Sequence, residues 1–234
     1  MELYLVRHGQ SEHNASLTES TDSSLTALGR KQAKRVGERL KNLGPAELYC
    51  SPQVRALETA DMLRRYFDLR PQVRLKLSER CFCWDEPGLP RSEMAKRFPF
   101  HDLPDDVDED GWARHWTYET HEELYVRMKP VAEQIRQFAL TKLGKVIVMV
   151  IHGGCGNSLL HHLLCIPSLA SIRFHHDNCA ISHLRFDGDG RISILSLNDT
   201  RHLSKIPDMN DRVLLGREIS MTRKQYNNDS AAPR

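Results

Sequence analysis

The sequence predicts an α/β fold whose sheet is largely parallel and covered by helices on both faces. Three observations carry that prediction. Short apolar runs alternate with longer segments of helical periodicity as far as residue 165. One run, Lys145-Val146-Ile147-Val148-Met149-Val150-Ile151, is apolar throughout after its first residue, as a strand buried on both sides is. Two runs also end abruptly and alike, in Arg7-His8-Gly9 and in His152-Gly153-Gly154. Strands that stop this way deliver side chains to the carboxyl edge of an open sheet, where such folds bind their ligands.

Residues 2–6 read as the first buried strand, and the polar, Ser/Thr-rich residues 7–25 as a loop. A helix follows Thr26 and runs to Leu43, with Ala33, Val36, Gly37, Leu40 and Leu43 near one face and Gly44-Pro45 as its stop. Residues 46–50 read as a second strand. Ser51-Pro52 starts the next helix, with Ser as cap and Pro in the first position. It carries on to Phe67 along Ala56, Ala60, Leu63 and Phe67, with Arg55 one turn in. Residues 72–77 alternate as an edge strand does and deliver Ser78-Glu79-Arg80.

Residues 81–118 differ in kind. They are rich in Pro, Asp, aromatic and charged residues, with only a short helix over 91–98, and read as a lid-like insertion over the sheet edge. Thr120 and Glu123 form a capping box that opens a helix to Leu143, closed by Gly144. The strand over 145–151 leads into a helix ending near Cys165. Two more strands, near 180–185 and 191–197, flank the hairpin signal Gly188-Asp189-Gly190. One domain over 1–207 and a loose tail over 208–234 are expected.

The 234 residues are enough to bury a real core. A net charge of +2 argues against a strongly basic nucleic-acid binder. The longest strongly apolar run, 146–151, falls far short of a membrane span. Without a basic, apolar leader, the six scattered cysteines read as reduced thiols in a cytoplasmic protein.

If the two strands that end in His-Gly belong to one sheet, His8 and His152 emerge at the same edge. The helix after Ser51 brings Arg55 there, and the strand after Gln72 brings Glu79. That set suits phosphoryl transfer. The migrating group spreads negative charge over its oxygens and needs fixed cations and donors around it. Arg7 and Arg55 supply forked hydrogen bonds, Asn14 an amide N–H, and the backbone at Gly153-Gly154 the positive end of a helix. A well-placed donor of this kind is typically worth ~2.7–4 kcal/mol in the transition state. Neutral His8 qualifies as nucleophile if a backbone carbonyl, such as that of Gly9, holds its second nitrogen. Glu79 can protonate the leaving alkoxide if its carboxyl is held protonated, and can then activate water; Glu86 is the alternative carboxylate. The scheme requires no metal or cofactor.

These residues resemble the first branch of the histidine phosphatase superfamily, which includes the cofactor-dependent phosphoglycerate mutases. The signature R-H-G-x-S-x-x-N matches Arg7-His8-Gly9-Gln10-Ser11-Glu12-His13-Asn14, with His13 where the family usually has Trp. Residues 25–33 resemble L-T-x-x-G-x-x-Q-A and residues 51–60 resemble S-P-x-x-R-A-x-x-T-A. Leu77-Ser78-Glu79-Arg80, Ile151-His152-Gly153-Gly154 and residues 198–203 match further ordered stretches. The resemblance implies a three-layer α/β/α sandwich, phosphorylation of His8, a phosphate held by Arg7, Arg55, His152 and Asn14, and Glu79 as acid and base.

The departures favour a phosphatase over a mutase. The mutases read L-N-E-R-H-Y-G where this chain reads Leu-Ser-Glu-Arg-Cys-Phe-Cys. They also carry an Arg-Arg pair in the insertion, where this chain has isolated Arg91, Arg97 and Arg114 and an acidic run over 105–110. His176-Asp177 only superficially resembles the proton donor of the second branch, since the opening motif is of the first. Cys81 and Cys83 with His101 or His115 match no familiar zinc spacing and read as ordinary side chains. The expected reaction is hydrolysis of phosphomonoesters, with a small phosphorylated metabolite or phosphopeptide as partner and neither nucleic acid nor membrane. The rivals are a phosphoglycerate-type mutase and a non-catalytic module that binds phosphorylated ligands. The sequence assigns no oligomeric state.

Overall fold

The computed structural model describes residues 1–80, 86–113, 118–167, 172–204 and 206. The predicted tail over 208–234, and Cys81, Cys83, Arg114 and His115, lie outside the described residues. The chain runs β1 (Glu2–Arg7), α1 (Ala27–Leu40), β2 (Glu47–Cys50), α2 (Val54–Phe67), β3 (Gln72–Val73), α3 (Arg91–Arg97), α4 (His121–Thr141), β4 (Val146–Ile151), α5 (Gly153–Leu163), β5 (Ile181–Phe186) and β6 (Ile192–Asp199). Short 3-10 turns cover Leu75–Leu77 and Arg201–Leu203.

The six strands form one sheet in the order β3-β2-β4-β1-β5-β6. Alternation along the strands sends side chains to opposite faces. Val6, Leu48, Val148 and Val150 pack with Val36 and Leu40 of α1 and with Leu57 and Leu63 of α2. Leu3, Leu5, Ile147, Met149 and Ile151 pack with Leu124, Met128 and Ile135 of α4 and with Leu159 and Leu163 of α5. The result is the expected α/β/α sandwich.

The sheet itself corrects the expectation. It is mixed, not largely parallel. The four strands β3, β2, β4 and β1 run parallel, but β5 pairs antiparallel with β1 and β6 antiparallel with β5. The cause is the path after α5. That chain returns to the carboxyl edge, where Cys179 donates its N–H to the carbonyl of Arg7 at 3.0 Å. A strand starting from that edge must run against β1.

Smaller differences have equally local causes. The predicted strand over 72–77 shrinks to Gln72–Val73 and then curls into a 3-10 turn. Helix α2 begins at Val54 with Gln53 as its cap residue, and Ser51 Oγ, which accepts the Gln53 N–H at 3.3 Å, also meets His152. Helix α1 ends at Leu40, three residues early, while Thr26 caps it as expected by accepting the Gly29 N–H at 3.0 Å. The capping box of α4 is present, with Glu123 N–H to Thr120 Oγ1 at 3.2 Å and Thr120 N–H to Glu123 Oε2 at 2.7 Å. This helix runs straight through Pro130. The missing N–H would have served Val126, which is exposed, so water can take that carbonyl.

Within the insertion, Met94, Phe98, Val107, Trp112 and Ala113 are buried in the α1/α2 side of the core. Arg91 stitches it internally, donating to the carbonyls of Pro104 at 2.7 Å and Val107 at 3.1 Å. No helix among the described residues is long and apolar enough to cross a membrane.

Candidate active site

Strand register builds the site. Arg7 pairs with Ile151 across β1 and β4, so the next residues, His8 and His152, leave the sheet side by side. Their ring centroids lie 4.8 Å apart. Cys50 pairs with Val150, which sets Ser51 next to His152, and Ser51 Oγ lies 2.7 Å from His152 Nε2. Gly9 lets helix α1 press against the strand end: a Cβ there would stand 2.5 Å from the carbonyl oxygen of Gly29.

His8 is buried, and its two ring nitrogens meet partners of opposite polarity. Nδ1 lies 2.7 Å from the carbonyl of Gly9, which can only accept. Nε2 lies 3.2 Å from Nε of Arg55, which can only donate. Together they fix the neutral tautomer with the proton on Nδ1 and the lone pair on Nε2. Burial, then the neighbouring Arg55 and Arg7, hold the imidazole well below its ordinary pKa of 6.5, against the pull of the Gly9 carbonyl. His152 is held low by burial and by Arg55, His8 and Arg7. Its Nδ1 is buried without a hydrogen-bond partner among the described residues.

Both arginines are buried and anchored by backbone. Arg7 Nη1 donates to the carbonyl of His176 at 2.6 Å. Arg55, in the first turn of α2, donates through Nη1 to the carbonyl of Thr21. Thr59 ties that turn to the nucleophile's loop, donating to the Arg55 carbonyl at 2.7 Å and accepting the Gly9 N–H at 3.1 Å. Gly153 opens α5 next to Arg7, since a Cβ on it would lie 3.9 Å from the guanidinium carbon.

Glu79 reaches the N-terminus of α5. Its carboxylate accepts N–H groups from Gly154 at 2.8 Å, Cys155 at 3.1 Å and Arg80 at 3.0 Å. The Gly154 N–H, expected among the phosphate donors, therefore goes to Glu79 instead. The approach is close enough that a Cβ on Gly154 would stand 2.6 Å from Glu79 Oε1. Glu79 also lies within electrostatic reach of Arg55. Asn14 is half-buried in the loop after β1, with its Oδ1 accepting from Ser11 N–H at 3.3 Å and from Asn178 Nδ2 at 3.1 Å.

All the residues singled out from the sequence thus meet along one edge, with Glu79 on the α5 side. Glu86, the alternative carboxylate, also lies within electrostatic reach of Arg55, on the Thr21 side, where it accepts the Thr21 N–H at 2.9 Å and the Thr21 hydroxyl. The sequence reading gave no site role to Ser51, Gln53, Thr59 or Asn178. Gln53 Oε1 accepts the Glu79 N–H at 2.8 Å. Three of the four lie within residues 51–60, the stretch already singled out for Arg55, while nothing local points to Asn178. No group of three or more His, Cys, Asp or Glu among the described residues could hold a metal ion.

An imidazole with its lone pair on Nε2 facing Arg55, two guanidinium groups and a carboxylate at a helix N-terminus form a set able to receive, hold and transfer a phosphoryl group. Comparison with known proteins agrees. The chain is 29% identical to an uncharacterized phosphatase, PhoE, of Bacillus subtilis, over 86% of this chain and 95% of that one. It is 26% identical to a probable phosphoglycerate mutase, GpmB, of Proteus mirabilis, over 88% of this chain and 96% of that one. Its fold matches a phosphoserine phosphatase of Entamoeba histolytica with a TM-score of 0.62 at 23% identity, over 86% of this chain and 98% of that one. The sequence model of the histidine phosphatase superfamily (branch 1) matches residues 3–200. The chain belongs to that superfamily, in its first branch.

Proposed function

We propose that this chain is a metal-independent phosphomonoesterase that works through a phosphohistidine on His8. The observation that carries the reading is the over-determined tautomer of His8. With Nδ1–H on the Gly9 carbonyl, the Nε2 lone pair is available at neutral pH, and Arg55 stands where the incoming phosphoryl oxygens need charge. In the first step Nε2 attacks phosphorus, the ester P–O bond breaks, and the leaving oxygen takes a proton from the Glu79 carboxyl. In the second step the Glu79 carboxylate removes a proton from water and the hydroxide oxygen attacks phosphorus. The P–N bond breaks, and its electron pair returns to Nε2. One ester and one water become one alcohol and one phosphate. Arg7, Arg55, His152, Gly153 and Asn14 hold the phosphoryl group. Charge is supplied by the two guanidinium groups, so the scheme needs no cation.

The substrate is a small phosphorylated metabolite or phosphopeptide. A solved fold relative is named as a phosphoserine phosphatase bound to phosphoserine, in line with a small anionic monoester. A relative named as a mutase favours a second reading, transfer between two positions of a sugar acid. Hydrolysis is preferred because the residues after Glu79 and the insertion depart from the mutase pattern. The test is a panel of phosphomonoesters assayed with wild type and His8→Ala. Wild type should release phosphate and yield an acid-labile, alkali-stable phosphoprotein on rapid quench, and His8→Ala should do neither. Full turnover by His8→Ala would sink the scheme, and transfer to a second sugar-acid hydroxyl in place of release would move it to the mutase.

A further inference from the structure

The loop between α5 and β5 carries no motif that the proposed chemistry uses, yet it closes against the back of His8. Cys179 donates its N–H to the carbonyls of Arg7 at 3.0 Å and His8 at 3.2 Å. Asn178, half-buried, donates from Nδ2 twice, to the His8 carbonyl at 3.1 Å and to Asn14 Oδ1 at 3.1 Å. The loop is fixed from behind. Asn198, in β6, accepts the Asp177 N–H at 2.7 Å and donates to the Asp177 carboxylate at 2.8 Å.

Backbone groups at both ends of this chain of bonds decide which way the two amides face. The His8 carbonyl can only accept, so Asn178 must turn its NH2 toward it. The Ser11 N–H can only donate, so Asn14 must turn its Oδ1 toward it. The second hydrogen of Asn178 then meets the same Oδ1. With its oxygen held by two donors, Asn14 has its own NH2 directed to the opposite side.

We infer that Asn178 is a positioning residue that orients the Asn14 amide so that its NH2 is presented to the phosphoryl group on His8. This rests on the reading of Asn14 as a phosphate contact. Without Asn178, the Asn14 side chain keeps, among the described residues, only the 3.3 Å bond from the Ser11 N–H, and its amide is free to turn its oxygen toward an anion. A carbonyl facing a phosphate oxygen repels it where an N–H would bind it.

A double-mutant cycle read on orthophosphate affinity, with kcat measured alongside, tests this. Asn14→Ala and Asn178→Ala should each weaken phosphate binding roughly tenfold. The double variant should bind no worse than Asn14→Ala alone, because the other Asn178 bond goes to the His8 backbone carbonyl and not to a group that touches phosphate. The isosteric Asn178→Asp keeps the side-chain shape should the alanine variant fold poorly. It should weaken phosphate more than Asn178→Ala, since its carboxylate draws the Asn14 NH2 inward and adds like charge. Additive losses, or unchanged phosphate affinity in both Asn178 variants, would overturn the inference while leaving Asn14 as a contact. Unchanged affinity in Asn14→Ala would overturn the contact itself and the inference with it.

Discussion

The carboxyl ends of β1 and β4 and the insertion over 86–113 meet at the loop over 11–24, and they are held by different means. At the strand ends the polar side chains are buried and fixed by backbone. Gly9 orients His8, His176 and Thr21 hold the arginines, and the first N–H groups of α5 hold Glu79. Toward the loop over 11–24 the insertion is attached through side chains, Glu86 to Thr21 and Trp112 Nε1 to Asp22 at 3.2 Å, while, among the described residues, backbone bonds join it to the sheet edge only at Asp102, which donates to Pro71 at 2.9 Å and accepts from Val73 at 3.0 Å. Geometry set by backbone cannot relax when one neighbour changes, whereas side-chain attachments can. We propose that the phosphoryl chemistry belongs to this rigid region of strand ends, and leaving-group selection to the insertion where it faces the loop over 11–24.

The largest expected effect breaks the rigid region. Arg55→Ala should lower kcat by on the order of 10²–10³ on every ester it turns over, because the lost charge faces the phosphoryl group, which all esters share. Arg55→Lys should recover only part, since a point charge cannot serve His8 and the Thr21 carbonyl together as the fork does. Losses that vary strongly from ester to ester would move Arg55 to the leaving-group side and dissolve the contrast.

The insertion should also show itself in acid, adding to a loss of stability that the buried His8 and His152 share. Burial pushes His101, in the insertion, down to about 4. Its folded pKa lies below the unfolded value of 6.5, so between pH 6.5 and 4 the unfolded chain binds a proton that the folded one refuses. Stability therefore falls with pH across that window, by about 3 kcal/mol from this residue. His101→Leu should flatten the decline in thermal midpoint between pH 7 and 5. The kcat/KM profile should stay put, with no acid limb at 6.5, because His8 also stays neutral there. A profile that moves with His101→Leu would show that the insertion and the strand ends titrate as one unit.

How much of this was legible in the sequence follows the same division. Both His-Gly strand ends, Arg55 and Asn14 could be placed because β1, β4 and α2 are regular elements whose ends are written in local pattern. Glu79 could be located but its partners could not. Its link to Gly154 joins residues 75 apart, and the sequence shows no sign that a helix N-terminus expected to face phosphate would face a carboxylate. Ser51 could be seen to serve the following helix, whose Gln53 N–H it accepts at 3.3 Å, but nothing local reveals that His152 also meets its oxygen. The antiparallel turn of β5 came from Cys179 returning to the carboxyl edge, a tertiary bond with no sequence period. Asn178 was invisible for the same reason: its two acceptors lie more than 160 residues away.

The smallest expected effect sharpens the contrast from the other side. Trp112→Phe keeps the ring in the core and removes the indole N–H from Asp22. Asp22 is half-buried, desolvation raises its pKa, and its other oxygen accepts the Val54 N–H at 2.7 Å at the start of α2. That second bond survives the substitution, so Arg55 one residue on should keep its place. The insertion meanwhile loses one of its attachments to the loop over 11–24. A single hydrogen bond is worth about 1 kcal/mol net, so KM should shift by roughly fivefold or less. The shift should differ between small and bulky leaving groups, with kcat little changed. Steady-state kinetics on paired small and bulky esters reads this directly. A uniform fall in kcat across both would mean that Trp112 acts through Arg55, and that the insertion belongs to the same rigid frame as the strand ends.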